Sequence, residues 1–103
     1  MKNIAITAAV AALITTAGVS APALATGKMT CDAGPESSWK TQAELKAALV
    51  NEGWTVKKSK VDGGCYEVYG TTPEGDRVEA YFHPVTLEKL LVSKRGKILF
   101  QKK

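Results

Sequence analysis

The stretch from Gly63 to Phe82 constrains this chain more than any other. Gly-Gly-Cys-Tyr-Glu-Val-Tyr-Gly is followed by Thr-Thr-Pro-Glu-Gly-Asp and then Arg-Val-Glu-Ala-Tyr-Phe. From Cys65 to Tyr69, aromatic and β-branched residues alternate with polar positions. From Arg77 to Phe82, Val78, Ala80 and Phe82 fall on one side against Arg77, Glu79 and Tyr81 on the other. A period of two is the signature of a strand with one buried face. Pro73, Gly75 and Asp76 supply the reversal between the two strands, because proline presets φ and glycine accepts a positive φ. The pair therefore reads as an antiparallel hairpin in a sheet that turns one face to water.

Ahead of this framework lies a segment that does not read as domain. Met1-Lys2-Asn3 is a short basic start, Ile4 to Val19 is apolar or small, and Ala23-Leu24-Ala25 fits the small-x-small rule for signal peptidase. Residues 1–25 are expected to be a signal peptide cleaved near Ala25. The apolar run, interrupted by Gly18 and Pro22, is short for a span that needs about 20 apolar residues, so no transmembrane segment is expected in the mature form. A single domain over residues 26–103 follows, in a periplasmic or secreted setting.

So small a domain has a thin margin of stability. Cys31 and Cys65 both lie beyond the cleavage site, and an even pair in an exported chain favours a disulfide between them. The competing uses of cysteine lack their motifs: there is no Cys-x-x-Cys, and the single histidine, His83, is too little for an ordinary zinc site. No metal and no cofactor is expected.

In chain order, Gly27 to Ser38 reads as an extended lead-in. Thr41-Gln42-Ala43-Glu44 is a capping box, Leu45, Ala48 and Leu49 follow at helical spacing, and Gly53 stands at the C-cap, which predicts one helix over 42–52. Trp39 falls off the apolar stripe and is placed before the cap, packing back over the first turn. A strand from Trp54 to Val61 carries Lys57, Lys58 and Lys60. These lysines suit an anion site or, the preferred reading, an edge strand guarded against unwanted pairing. Asp62-Gly63-Gly64 turns into the central hairpin. After Phe82 come a turn at His83-Pro84-Val85-Thr86, a strand over 87–92, a turn at Ser93-Lys94-Arg95-Gly96 and a last strand over 97–100. The fold class is α+β, one N-terminal helix packed on an antiparallel sheet of four to five strands. Its expected core is Leu45, Leu49, Trp54, Val56, Val68, Val78, Ala80, Phe82, Leu90 and Val92. The other sheet face, bearing Tyr69 or Tyr66 with Glu67, Glu79 and Tyr81, is left for a partner.

The chain resembles the PepSY family, found in propeptides of secreted metallopeptidases and alone in exported bacterial proteins. The resemblance rests on Trp39-Lys40-Thr41, Leu45 with Leu49, Gly53-Trp54-Thr55-Val56, Gly64-Cys65-Tyr66-Glu67-Val68-Tyr69-Gly70, Gly75-Asp76-Arg77-Val78-Glu79 and Tyr81-Phe82-His83-Pro84-Val85-Thr86. The family usually carries Asp-Pro-x-Thr-Gly where this chain has His83-Pro84-Val85-Thr86-Leu87. Loss of the aspartate predicts loss of a side-chain cap, and loss of the glycine predicts a different backbone shape for the turn. The resemblance implies a binding or regulatory module that inhibits or assists a secreted peptidase, and it brings no catalytic residues.

On the residues themselves, an enzyme is not expected. His83 precedes a proline in a turn, no nucleophilic cysteine remains once the disulfide forms, and no base with an orienting partner is evident. Adjacent strands would allow Glu67 and Glu79 to meet as a carboxylate pair, but alternating charge on a wet sheet face ordinarily means solvation, and that is the preferred reading. Three readings of function remain. In the first, an envelope protein, such as a peptidase, binds the exposed face or an edge strand, with Tyr66, Tyr69, Tyr81, Glu67 and Glu79 as contacts. In the second, a basic patch of Lys89, Lys94, Arg95, Lys97, Lys102 and Lys103 docks on anionic lipid, cell-wall polymer or an acidic protein. From Lys89 onward there are six basic residues and no acidic one. Nucleic acid is a poor candidate for an exported chain. In the third, Trp39, Trp54 and His83 handle haem or another small ligand.

Overall fold

A computed structural model describes residues 29–103. The expected signal peptide, its cleavage site and the first residues of the mature chain lie outside the described residues. After a single 3-10 turn at Glu36–Ser38 come helix α1 (Gln42–Asn51) and strands β1 (Thr55–Asp62), β2 (Cys65–Thr71), β3 (Arg77–Phe82), β4 (Lys89–Lys94) and β5 (Lys97–Gln101). The five strands form one antiparallel sheet in the order β1-β2-β3-β4-β5, so each strand pairs with its neighbour in sequence. This is the expected α+β architecture with the full five strands.

The helix begins and ends as its sequence dictates. The Glu44 N–H donates to Thr41 Oγ1 at 3.0 Å and the Thr41 N–H donates to Glu44 Oε1 at 2.8 Å, closing the capping box. At the far end Gly53 takes φ +100°, the Gly53 N–H donates to Val50 O at 3.0 Å and the Trp54 N–H to Leu49 O at 2.9 Å. That pair of bonds is a Schellman motif, and Trp54 and Leu49 pack together in the core behind it. Only Leu45 and Leu49 of the helix are buried, so α1 covers a narrow strip of the sheet. Among the described residues, no helix is long and apolar enough to cross a membrane.

Between helix and sheet lies a core of Leu45, Leu49, Trp54, Tyr66, Val68, Val78, Ala80, Phe82 and Val92, with Trp39, Val56 and Leu87 packed against it. Trp39 sits before the cap as expected, edge-on to the Tyr66 ring at 5.7 Å, its indole N–H donating to Ala33 O. Leu90 is a correction. Tyr81 pairs with Leu91 and Phe82 with Lys89, so Leu90 is an extra residue in the ladder. This bulge breaks the alternation, and Leu90 packs instead with Cys65, Tyr81 and Leu91 on the opposite face.

That second cluster is roofed by the N-terminal segment. Cys31 and Cys65 are disulfide-bonded with Cα atoms 5.1 Å apart, and the Cys31 N–H donates to Gly63 O at 2.8 Å. Gly63 and Gly64 take φ +62° and +79° in a two-residue turn between β1 and β2, the left-handed pair such hairpins need. They also make room: a Cβ on Gly63 would strike Met29 O, and one on Gly64 would lie 2.7 Å from Cys31 O.

The turn between β3 and β4 departs from expectation. His83 Nδ1 accepts the Val85 N–H at 3.2 Å, so the imidazole caps the turn as a carboxylate would. Leu87 takes φ +64° and its N–H donates to His83 O at 2.7 Å. The left-handed conformation a glycine would supply is kept, with a leucine held in it by packing against the helix-side core.

Candidate functional site

Pairing and alternation set three rows of side chains across the face opposite the helix. The first runs Lys60, Glu67, Tyr81, Leu91 and the second Lys58, Tyr69, Glu79, Ser93; the third begins Thr55, Thr71, Arg77. The choice between Tyr66 and Tyr69 is thereby decided. Tyr69 is on this face, while Tyr66 points to the helix, is buried, and donates its hydroxyl to Lys40 O at 2.6 Å. Tyr66 is core, not a surface contact.

Two further residues expected on an open face are also enclosed. Tyr81 is fully buried under the disulfide segment and donates its hydroxyl to Asp62 Oδ2 at 3.0 Å. Glu67 is 0% exposed, its carboxylate enclosed beside the Tyr69 hydroxyl and the Glu79 carboxyl. Its closest cation is Lys60, whose Nζ stands 3.7 Å from Oε1. Burial pushes the Glu67 carboxyl above the usual range, and the neighbouring Glu79 carboxyl adds to the shift; Tyr69 and Lys60 oppose it. The two glutamates, expected to be solvated rather than to form a carboxylate pair, are thus brought together, one buried and one half-buried. Lys58 and Lys60 stand over the Tyr69 ring, 4.8 and 5.8 Å from its centroid.

Beyond Tyr69 the face opens into a groove of about 490 Å³, walled by Lys57, Tyr69, Arg77, Glu79, Ser93 and Arg95. Arg77, Ser93 and Lys57 were not legible as a group. Lys57 is the bulged residue of β1, set between Val56, which pairs with Gly70, and Lys58, which pairs with Tyr69.

The six basic residues of the C-terminal segment do not form one patch. Lys94, Arg95 and Lys97 lie at one end of the β4–β5 hairpin and Lys89, Lys102 and Lys103 at the other, separated by about five residues of strand or roughly 17 Å. Lys94 pairs with Asp76 at 2.8 Å, Lys102 with Glu88 at 3.7 Å, and Lys89 stands 4.4 Å over the Phe100 ring. Trp39 and Trp54 are engaged in the helix-side packing and His83 Nδ1 in its turn, so the three residues considered for a small ligand form no common site. Among the described residues, no three His, Cys, Asp or Glu side chains group as metal ligands.

The other unusual surface is β5. It is exposed along its whole length, with Ile98, Leu99 and Phe100 at 51, 43 and 38% exposure. It is the outer strand of the sheet, so one rim of its backbone has no strand beside it. On the helix side, Trp54, Val92, Leu99 and Phe100 line a second groove of about 430 Å³ between the end of α1 and β5.

A family model described as peptidase propeptide and YPEB domain matches residues 6–92, most of the chain. The chain belongs to this PepSY family. No curated protein and no solved structure matches it. PepSY membership and the Cys31–Cys65 bond are consistent with an exported protein, and the family suggests a propeptide-like or regulatory module that interacts with peptidases.

Proposed function

We propose that this PepSY protein is a non-catalytic binding module of the bacterial periplasm, released by cleavage near Ala25, that docks on an envelope protein, a peptidase foremost, and modulates it. The observation that carries this reading is β5: an outer strand with an unpaired rim whose apolar side chains are exposed. A partner strand laid along that rim gains main-chain hydrogen bonds, while its side chains reach the groove beside Phe100 and Leu99. Such docking needs no chemical motif, in keeping with a chain whose Glu67, histidine and cysteines are taken up by packing, a turn and a disulfide.

Affinity capture with the oxidised protein from its own periplasm tests this. The wild-type chain and a Lys94, Arg95 and Lys97 charge reversal should both retain a peptidase, and Phe100→Glu should lose it. Adding the purified protein should change the activity of the recovered peptidase. Capture lost in the charge reversal but kept in Phe100→Glu would move the docking surface to the basic turn and end the strand-addition reading.

A further inference from the structure

On the opposite face, and independently of β5, we infer that the groove between Tyr69 and Arg95 is a subsite for a carboxylate carried on a short acidic peptide. Three cations reach it by three different devices. Arg77 opens β3. Lys57 is brought to this face by the β1 bulge, which sets it beside Lys58 instead of behind it. Arg95 holds φ +53° at the first position of the two-residue β4–β5 turn, a strained choice for an arginine that aims it over the sheet.

Ser93 is the second, separate observation. It is 2% exposed, its Oγ has no hydrogen-bond partner, and it lines the groove. A buried hydroxyl without a partner costs stability unless something meets it, and a ligand oxygen in the groove would accept its proton. The Tyr69 ring walls the groove beside it, its hydroxyl turned to the Glu67 carboxylate.

The chemistry favours a peptide over a dense polyanion. Arginine forks match a carboxylate in two-point contact, and three cations against the single carboxylate of Glu79 leave a modest positive excess. Glu79 disfavours a second negative charge set directly against it, and a peptide can seat one carboxylate among the cations while its other acidic side chains stay in solvent. The volume is in the range of small-ligand sites.

Titration of the isotope-labelled oxidised protein with an N-acetylated, C-amidated tetraglutamate peptide, its tetraglutamine counterpart blocked in the same way and inorganic phosphate tests the inference by amide shifts. Tetraglutamate should move the amides of residues 69–71, 77–79 and 93–96, and should bind more weakly as salt rises. Arg77→Gln with Arg95→Asn should weaken it at least tenfold. Asparagine tolerates the left-handed turn, so that chain should fold. Ser93→Ala should weaken binding several-fold, and Phe100→Glu should leave it intact. Equal binding of tetraglutamine, shifts centred elsewhere, unchanged affinity in the double variant, or phosphate reproducing the same shifts at the same concentration would each overturn it.

Discussion

The Tyr81 hydroxyl donates a hydrogen bond to Asp62 Oδ2 at 3.0 Å beneath the N-terminal segment, tying the middle of the sheet to the end of its first strand. Both residues are buried, Tyr81 completely. Tyr81→Phe removes the donor and leaves a buried carboxylate oxygen poorly satisfied, which should cost about 1–3 kcal/mol. Urea denaturation should show a lower midpoint with an unchanged slope.

Reduction of the Cys31–Cys65 bond frees a loop whose ends are 34 residues apart. In the loop-entropy account such a closure is worth about 4 kcal/mol, a large part of the stability of so small a domain. The Cys31→Ala, Cys65→Ala chain should therefore melt far below wild type. Exchange of the Cys31 amide, bonded to Gly63 O in the oxidised protein, should lose its protection first.

Glu67 gives stability an unusual pH dependence. Its folded carboxyl titrates above the ordinary range, because burial and Glu79 disfavour the charge. Below the usual carboxylate range, about pH 4, folded and unfolded chains both hold the proton and the contribution is fully present. As pH rises the unfolded chain releases its proton first, so this contribution falls until the folded group has titrated. Glu67→Gln should flatten that decline and raise the melting temperature at neutral pH. Identical slopes in the two chains would refute this account.

At Leu87 two effects oppose each other. The leucine holds φ +64° and packs on the core. Leu87→Gly relieves a strain of about 1–2 kcal/mol but forfeits packing and adds unfolded-state entropy of about 0.5–1 kcal/mol, so it should fall within about 1 kcal/mol of wild type. Leu87→Ala loses the packing and keeps the strain, and should be the less stable of the two. In the same turn His83→Asp should preserve the cap on the Val85 N–H that His83→Ala removes; calorimetry of the four chains ranks them.

How much of this was legible varied with how local its cause is. The capping box, the double-glycine hairpin and the alternation from Cys65 to Phe82 are short-range instructions, and the helix and the central strands follow them. Bulges carry no such signature. One at Leu90 sent that residue to the wrong side of the reading, and one at Lys57 hid a groove cation among edge lysines. Tyr66 shares the face of Val68 two residues on, so once Val68 is placed in the core the alternation already turns Tyr66 inward and Tyr69 outward. The burial of Glu67 was illegible. A glutamate in an alternating pattern looks solvated until its neighbours close over it, and the Cys31 segment encloses the adjoining Cys65–Tyr81 cluster from far along the chain.

The two rims of the sheet are unlike, and this governs self-assembly. Growth of an open-ended filament requires β5 of one copy to meet β1 of the next, a head-to-tail contact that never closes. That contact would set Lys97 and Lys102 against Lys57, Lys58 and Lys60, all exposed, and like charges along a strand pair repel. The same lysine distribution therefore leaves the rim open to a foreign chain while working against the addition of further copies of the protein itself.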